Sequence, residues 1–491
     1  MTTLLENIYD PQIFRAEGHK LVDLLADHLE KAHTKEIPVN AYKTPEDQYV
    51  WWQKMLAENP EPEEYFRALT ETSMHLHHPH YMGHQISPPA PISALSGLLA
   101  DLLNNGMGVY EMGGPSTAIE RLVITTLAQA IGFDDLAGGF LTSGGTLANL
   151  TALLTARSRL SEYRVWSEGY EKNNLAVFVS EQAHYCIDRA ARIMGLGDQG
   201  IYRIPVDRLF RMNIAELEKS ILQALSDGKT PLAIVGSACT TSTGAYDPLD
   251  EIGQLATRHG IWFHVDGAHG GAAVFSQKYR HKLKGVEMAD SIAIDGHKMM
   301  MTPSIITALI YRDGAHSFDT FMPKADYLFQ NSHNEEWYNM AKRTFECTKL
   351  MMSIKFYSII AFHGTEAWSE FVTTLYDHAL HFAQAIQTHP AGFELLTPPQ
   401  SNILCFRKKL NGFDDNKLNE LNEALRDKVL QEGRFYLVQT RIYGVSWLRI
   451  TLMNPFSTII DINHLLGDLE KYTEEWLKNF GQNTEIIDVI P

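Results

Sequence analysis

The chain has little with which to build a cross-linked scaffold. Its 491 residues hold only four cysteines, Cys186, Cys239, Cys347 and Cys405, far apart and without a C-x-x-C pair. That spacing suggests neither a disulfide framework nor a cysteine zinc site, and it suits a reducing compartment. A run of about 18 apolar residues, the minimum for a membrane-spanning helix, is also missing. The first residues, MTTLLENIYDPQIF, carry acids where a secretory leader has a basic stretch and an apolar core. A soluble, cytoplasmic protein without a membrane partner is therefore expected. Positive charge is scarce as well, with 42 Lys and Arg against 59 Asp and Glu, a formal net charge of -17. The one basic cluster, QKYRHKLK at 277–284, is short and reads as a solvated connection. A polyanion would be repelled, so no nucleic-acid partner is expected. Internal repeats and low-complexity tracts are lacking too.

What is present is the composition of an ordinary globular protein, 45% hydrophobic and 21% charged, at a length that predicts more than one structural unit. From Asp10 to about Lys35, Phe14, Leu21, Leu24, Leu25 and Leu29 recur at helical spacing, and helical stretches continue toward Thr72. Their apolar faces have no partner inside the segment. Residues 73–91, SMHLHHPHYMGHQISPPAP, contain five histidines. Pro79 interrupts them and carboxylates are missing nearby, so they read as an ordered loop or a pocket lining rather than a metal site. A helix is predicted from about Pro115 to Ile131, ending on Gly132. Residues 136–160 then read as strand, glycine turn and helix. Strand-then-loop segments follow at 174–184, 231–248, 261–271, 290–298 and 304–313, separated by amphipathic helices such as LDEIGQLATRHG. This alternation predicts an α/β fold, a mostly parallel central sheet with helices on both faces and ligands at the carboxyl ends of the strands. Residues 314–348 read as a long loop, a helix is predicted from about Thr348 to Phe362, and a small C-terminal α+β unit is expected from about residue 370. The expected domains are thus 1–91, 92–369 and 370–491.

The chemistry concentrates in Ile261–Met301, where one apolar strand ends in Asp266 and another runs into Lys298. A lysine that forms an imine with an aldehyde, and an acid that keeps a pyridine nitrogen protonated, are what pyridoxal phosphate requires. Burial and the neighbouring His297 are expected to lower the pKa of Lys298. Upstream, Ser143, Gly144, Gly145 and Thr146 stand between a strand and a helix, where free N–H groups can hold a phosphate. The Walker lysine and the dinucleotide fingerprint are both missing, which favours a lone phosphate monoester. His184, at the end of SEQAH, could stack on one face of the ring, Ala268 could lie against the other, and Thr241 could donate near the ring hydroxyl. Each residue alone has a blander explanation: an acid can cap a turn, SGGT can be an ordinary turn, and a histidine can be structural.

Taken in order, TSGGTLAN, SEQAH, SACTTSTGAYDP, HVDGAHGG and DGHK resemble the motifs of the group II pyridoxal phosphate-dependent amino acid decarboxylases, from about Asp10 to Leu469. The resemblance implies the aspartate aminotransferase-like fold (fold type I) and a homodimer with shared active sites, residues 1–91 packing on the partner. It makes Lys298 the imine lysine, Asp266 the pyridinium partner and His184 the stacking histidine. Ser143, Gly145 and Thr146 would bind phosphate, with His297 close by. Asp295 stands where the family usually has asparagine, and Thr241 and Ala268 match cofactor-contacting positions. Tyr327, in KADYLF, matches the mobile-loop tyrosine that returns a proton after carbon dioxide leaves. Arg449 matches a substrate-facing arginine of glutamate decarboxylases. His84, Gln85 and Ser87 match pocket-lining positions, and Tyr110 and Glu111 match positions that reach the neighbouring subunit's site. The implied reaction is α-decarboxylation of an L-amino acid, with a lean toward an acidic substrate and no metal. An aromatic or diamino acid substrate, a carbon–carbon lyase or aldehyde synthase of the same fold, and an inactive cofactor-binding dimer stand as alternatives.

Overall fold

The computed structural model describes residues 3–160, 165–170, 174–321 and 336–487. Within one of its two units, Gln85–Asp377 with Pro399–Ile403, the apolar runs pair into a seven-stranded sheet. In chain order the strands are β1 (Gly138–Thr142), β2 (Leu175–Ser180), β3 (Ile201–Ile204), β4 (Thr230–Ser237), β5 (Trp262–Asp266), β6 (Ser291–Asp295) and β7 (Thr307–Tyr311). Across the sheet the order is β1-β7-β6-β5-β4-β2-β3. Strands β2 to β6 are paired in parallel, as expected for most of the sheet, whereas β7 is antiparallel to both β6 and β1. The link from Asp295 to Thr307 holds no helix, the element that usually carries a parallel crossover. Every residue of β2, LAVFVS, is buried, the continuous pattern of a sheet covered on both faces. Leu153, Val177, Ile187, Ala190 and Val235 form one of its cores, each larger side chain contributing about 1.5–3 kcal/mol of burial.

Two helix starts differ from the sequence reading. The helix before β1 spans Tyr110–Ile131, beginning upstream of Pro115, because two helical pieces meet at Gly113, whose φ/ψ is not helical. Pro115 then falls in the first turn of the second piece, where a missing N–H costs little. It ends on Gly132 at φ +95°, as read. The helix expected from Thr348 starts at Met352. Lys349 reaches the Glu120 carboxylate and the Leu141 carbonyl instead, which keeps residues 349–351 out of the helix.

The other unit comprises Met1–His84, His378–Pro398 and Leu404–Pro491. Its four-stranded sheet has the order β10-β11-β9-β8, with β8 (Phe393–Leu395), β9 (Ile403–Lys408), β10 (Val438–Ile442) and β11 (Val445–Thr451). Phe382, Phe406, Leu425, Leu448 and Leu465 close its core. The N-terminal helix Pro11–His33 is capped by the Asp10 carboxylate, which accepts from Gln12 N–H. The histidine-rich loop is bound to this unit: Met82 N–H donates to the Tyr436 carbonyl at 2.9 Å, and Thr451 N–H donates to the Met82 carbonyl at 2.9 Å. His80 stacks on Phe435 and lies 2.9 Å from the Asp461 carboxylate. Burial opposes the charge of Asp461, but His80, Lys35 and Thr458 hold its pKa well below the usual carboxylate range. No group of three or more His, Cys, Asp or Glu among the described residues could hold a metal ion. No described helix is long and apolar enough to cross a membrane.

Candidate active site

Strand β1 delivers the chain to Gly144, whose φ of +110° turns it into the helix Gly145–Arg159. Glycine is required twice here for different reasons. At Gly144 the left-handed backbone disfavours any side chain. At Gly145 a Cβ would stand 3.1 Å from Asp295 Oδ1 and 3.4 Å from the Ala268 methyl. The turn therefore leaves a helix N-terminus, rich in free N–H groups, open to an anion.

The carboxyl ends of β4, β5 and β6 converge beside this turn on a cavity of about 280 Å³. Every residue expected to touch the cofactor lines it: Ser143, Gly144, Gly145 and Thr146 from the turn; His184 and Thr241 from loops; Asp266 at the end of β5 and Ala268 beyond it; Asp295 at the end of β6 and His297 and Lys298 beyond it. A phosphate cradle, an amine, a carboxylate and an imidazole around one space of this size form a donor set that fits pyridoxal phosphate. The Ser143 hydroxyl donates to Glu346 Oε1 at 2.9 Å, which leaves its oxygen only as an acceptor there. Gly145 N–H and Thr146 are then better placed for a phosphate than Ser143.

Lys298 Nζ lies 3.2 Å from Asp295 Oδ2, and the same carboxylate accepts from Thr307 Oγ1 at 2.5 Å and faces His297 Nε2 at 3.6 Å. This geometry corrects the expectation for Lys298. Burial disfavours the ammonium, but Asp295 and Asp266 outweigh it, and the pKa lies above the ordinary lysine value. His184 behaves oppositely: burial, with Lys298 and Arg189 adding to it, pushes its pKa down against the pull of Asp266 and Asp295, so the ring is neutral near pH 7. Asp266 Oδ1 accepts from Ala268 N–H at 3.2 Å, which fixes the carboxylate at the cavity wall. Burial pushes the Cys186 and Cys239 thiols up to about 12, so neither is a thiolate.

Gln85, Ser87 and Tyr110, in the same unit, are not part of this lining. Ser87 N–H donates to the His297 carbonyl at 3.2 Å, and the Gln85 amide nitrogen is buried without a partner among the described residues. Tyr110 is half exposed beside Tyr338. Tyr327 lies outside the described residues. His84 and Arg449 belong to the other unit. There Arg449 is 7% exposed, in electrostatic contact with the Tyr81 and Tyr436 hydroxyls, and the His84 ring lies 5.9 Å from Tyr436. The sequence reading missed Asn149, Ser237, Thr240, His269 and Ile305, and it passed over Cys186 and Cys239, all of which line the cavity. Only Asn149 had a signal. It stands one helical turn beyond Thr146, on the same face.

A model of the pyridoxal-dependent decarboxylase conserved domain matches residues 52–409. An aromatic-L-amino-acid decarboxylase of Bacillus atrophaeus is 28% identical over 94% of this chain and 95% of its own length. An L-aspartate decarboxylase (dtxS4) of Metarhizium robertsii is 32% identical over 66% of this chain and 65% of its own length. Among solved structures, the glutamate decarboxylase domain of diaminobutyrate-pyruvate transaminase and L-2,4-diaminobutyrate decarboxylase from Vibrio parahaemolyticus is similar with a TM-score of 0.82. Its identity is 26%, over 94% of this chain and 96% of that one.

Proposed function

We propose, on the premise that this chain belongs to the pyridoxal-dependent decarboxylase family, that its substrate is an acidic L-amino acid. That it is a pyridoxal phosphate-dependent amino acid decarboxylase is the established part; the substrate class and the residue roles are the step beyond. When bound, the cofactor supplies a protonated ring that takes up the electrons of the bond broken as carbon dioxide leaves. Lys298 is the amine that holds the cofactor aldehyde. Asp266 keeps a proton on the ring nitrogen, neutral His184 covers one ring face, and Gly145 and Thr146 hold the phosphate. Tyr327 is proposed as the group that returns a proton to the substrate carbon.

The observation that carries the acidic substrate is Arg449. Burial pushes its pKa down, and the neighbouring Cys405, Tyr436 and Tyr81 oppose that shift. Arg449 stands at the position that matches the substrate-facing arginine of glutamate decarboxylases, and the planar fork of a guanidinium suits a side-chain carboxylate or sulfinate. The aspartate decarboxylase relative of Metarhizium robertsii supports the same class.

The test is a panel of L-amino acids given to the cofactor-loaded protein, scored for amine, carbon dioxide, ammonia and peroxide. Amine and carbon dioxide from aspartate, glutamate or cysteine sulfinate are expected, without ammonia or peroxide. Arg449→Gln is expected to raise KM for the acidic substrate about a hundredfold, from loss of a buried charge partner. Turnover confined to aromatic or diamino acids, or an unchanged KM in the variant, would sink the acidic reading.

We further propose that two copies of the chain associate, with residues 1–91 contributing to the contact. The helix Pro91–Leu103 buries its small residues Ser93, Gly97 and Ala100 and leaves Leu95, Leu98, Leu99 and Leu102 between 45% and 62% exposed. Their i, i+3, i+4, i+7 spacing makes one continuous apolar stripe, the reverse of a solvated face, and a second copy would cover it. A dimer is expected by sedimentation, and Leu98→Glu with Leu102→Glu should shift it to monomer. A monomeric parent protein would refute the association.

A further inference from the structure

Beneath the cavity a line of buried polar groups joins the elements that carry the cofactor residues. Trp262 Nε1 donates to Ser291 Oγ at 2.9 Å, and Ser291 Oγ lies 2.8 Å from His264 Nδ1. His264 Nε2 lies 2.7 Å from Asn149 Oδ1, and Asn149 Nδ2 donates to Cys186 Sγ at 3.3 Å. The direction of the chain follows from its ends. With its amide nitrogen facing Cys186, Asn149 presents its oxygen to His264, and an amide oxygen can only accept. His264 therefore carries its hydrogen on Nε2, and in a neutral ring Nδ1 accepts from the Ser291 hydroxyl. The Ser291 oxygen is left to accept from Trp262. Burial pushes His264 down to about 4, against the pull of Asp266 and Ser291, which agrees with the neutral form.

The positions of these groups tie the chain to the cofactor site. Asn149 shares a helix face with Thr146, and both line the cavity. His264 is two residues before Asp266 on β5, and alternation puts both on one side of the sheet. Ser291 is paired in register with His264 and opens β6, the strand that leads to Asp295 and Lys298. Cys186 also lines the cavity, and its N–H donates to His184 Nδ1 at 3.4 Å. The helix of the phosphate turn, the strand that ends in Asp266, the strand that leads to Lys298 and the loop of His184 are thus joined by one set of hydrogen bonds.

We propose that Asn149 and His264 are positioning residues: their hydrogen-bond chain sets the cradle helix, the Asp266 strand and the His184 loop in register and so fixes the tilt of the bound cofactor ring. His264 thereby stays neutral, leaving the charge of Asp266 to the ring nitrogen. The inference rests on the cofactor reading of this cavity. Neither residue touches the reacting bond.

The experiment compares His264→Phe, His264→Gln and Asn149→Ala with the unaltered protein. Pyridoxal phosphate is titrated into cofactor-stripped protein, and the visible circular dichroism per bound cofactor is recorded, since that signal reports how the ring is held. His264→Phe and Asn149→Ala are expected to weaken binding about tenfold or more, through buried groups left unpaired, and to reduce the dichroism. Glutamine can place a donor where Nε2 stands, so His264→Gln should restore most of the signal. Unchanged dichroism in Asn149→Ala and His264→Phe overturns the proposal whatever the affinity does, and so does a glutamine variant as impaired as phenylalanine. If His264→Phe does not fold, Asn149→Ala alone decides by the same signal. Lack of covalently bound cofactor in the unaltered protein would instead overturn the cofactor reading, and this inference with it.

Discussion

Replacing Lys298 by alanine is expected to abolish decarboxylation, by about a thousandfold or more, while the protein folds and still collects cofactor weakly in the phosphate cradle. Among the described residues the cavity is lined by a single lysine, and its Nζ sits at the open end of β6 beside Asp295. In the variant, borohydride should no longer attach the cofactor to the protein, a difference read by intact mass. Residual activity above about a hundredth of the original would mean that another amine does this work.

A companion substitution follows from the corrected pKa of Lys298. An amine must lose its proton to bond an aldehyde, and Asp295 and Asp266 stabilise the protonated form against burial. The cofactor-free protein should therefore load more readily as pH rises. Asp295→Asn removes one stabiliser of the ammonium, lowers that pKa, and should move the loading profile to lower pH by about one unit or more. A profile that stays in place, or moves up, would show that Asp295 does not govern the amine. Thr307 can still donate to the asparagine oxygen, so the fold should tolerate the change.

The second large effect is expected from Asp266→Asn, which keeps the shape and the acceptor for Ala268 N–H but removes the charge. Losing one partner of a buried ion pair costs about 3–5 kcal/mol, so kcat should fall by about a hundredfold to a thousandfold or more. Binding through the phosphate should suffer much less, and a split between kcat and cofactor affinity distinguishes this role from a structural one. Asp266 also raises the His184 pKa against burial, so its loss leaves that ring more firmly neutral. Retention of a tenth of the original kcat would argue that the ring nitrogen does not depend on this acid.

Much of the site could be read before any fold was known, because each part is a short motif at a strand end. Gly144 and Gly145 mark a turn that only glycine can make so tightly, and Asp266 and Lys298 are costly residues at the ends of apolar runs. The parallel order of β2 to β6 followed from strands alternating with helices. Local pattern could not show the reversal of β7, where the link from Asp295 to Thr307 holds no helix, or the helix start at Tyr110, where two pieces meet at Gly113.

The sequence by itself determined which chemistry this protein can perform. Amine, acid, imidazole and phosphate turn are local choices of residue type, and their order along the chain identifies the family. The tertiary structure decided how those groups act on one another. The sign of the Lys298 shift, the diversion of the Ser143 hydroxyl to Glu346 and the line from Trp262 to Cys186 all depend on residues far apart in sequence. Electrostatic and hydrogen-bond energies depend on distance in space, and only the folded chain sets that distance.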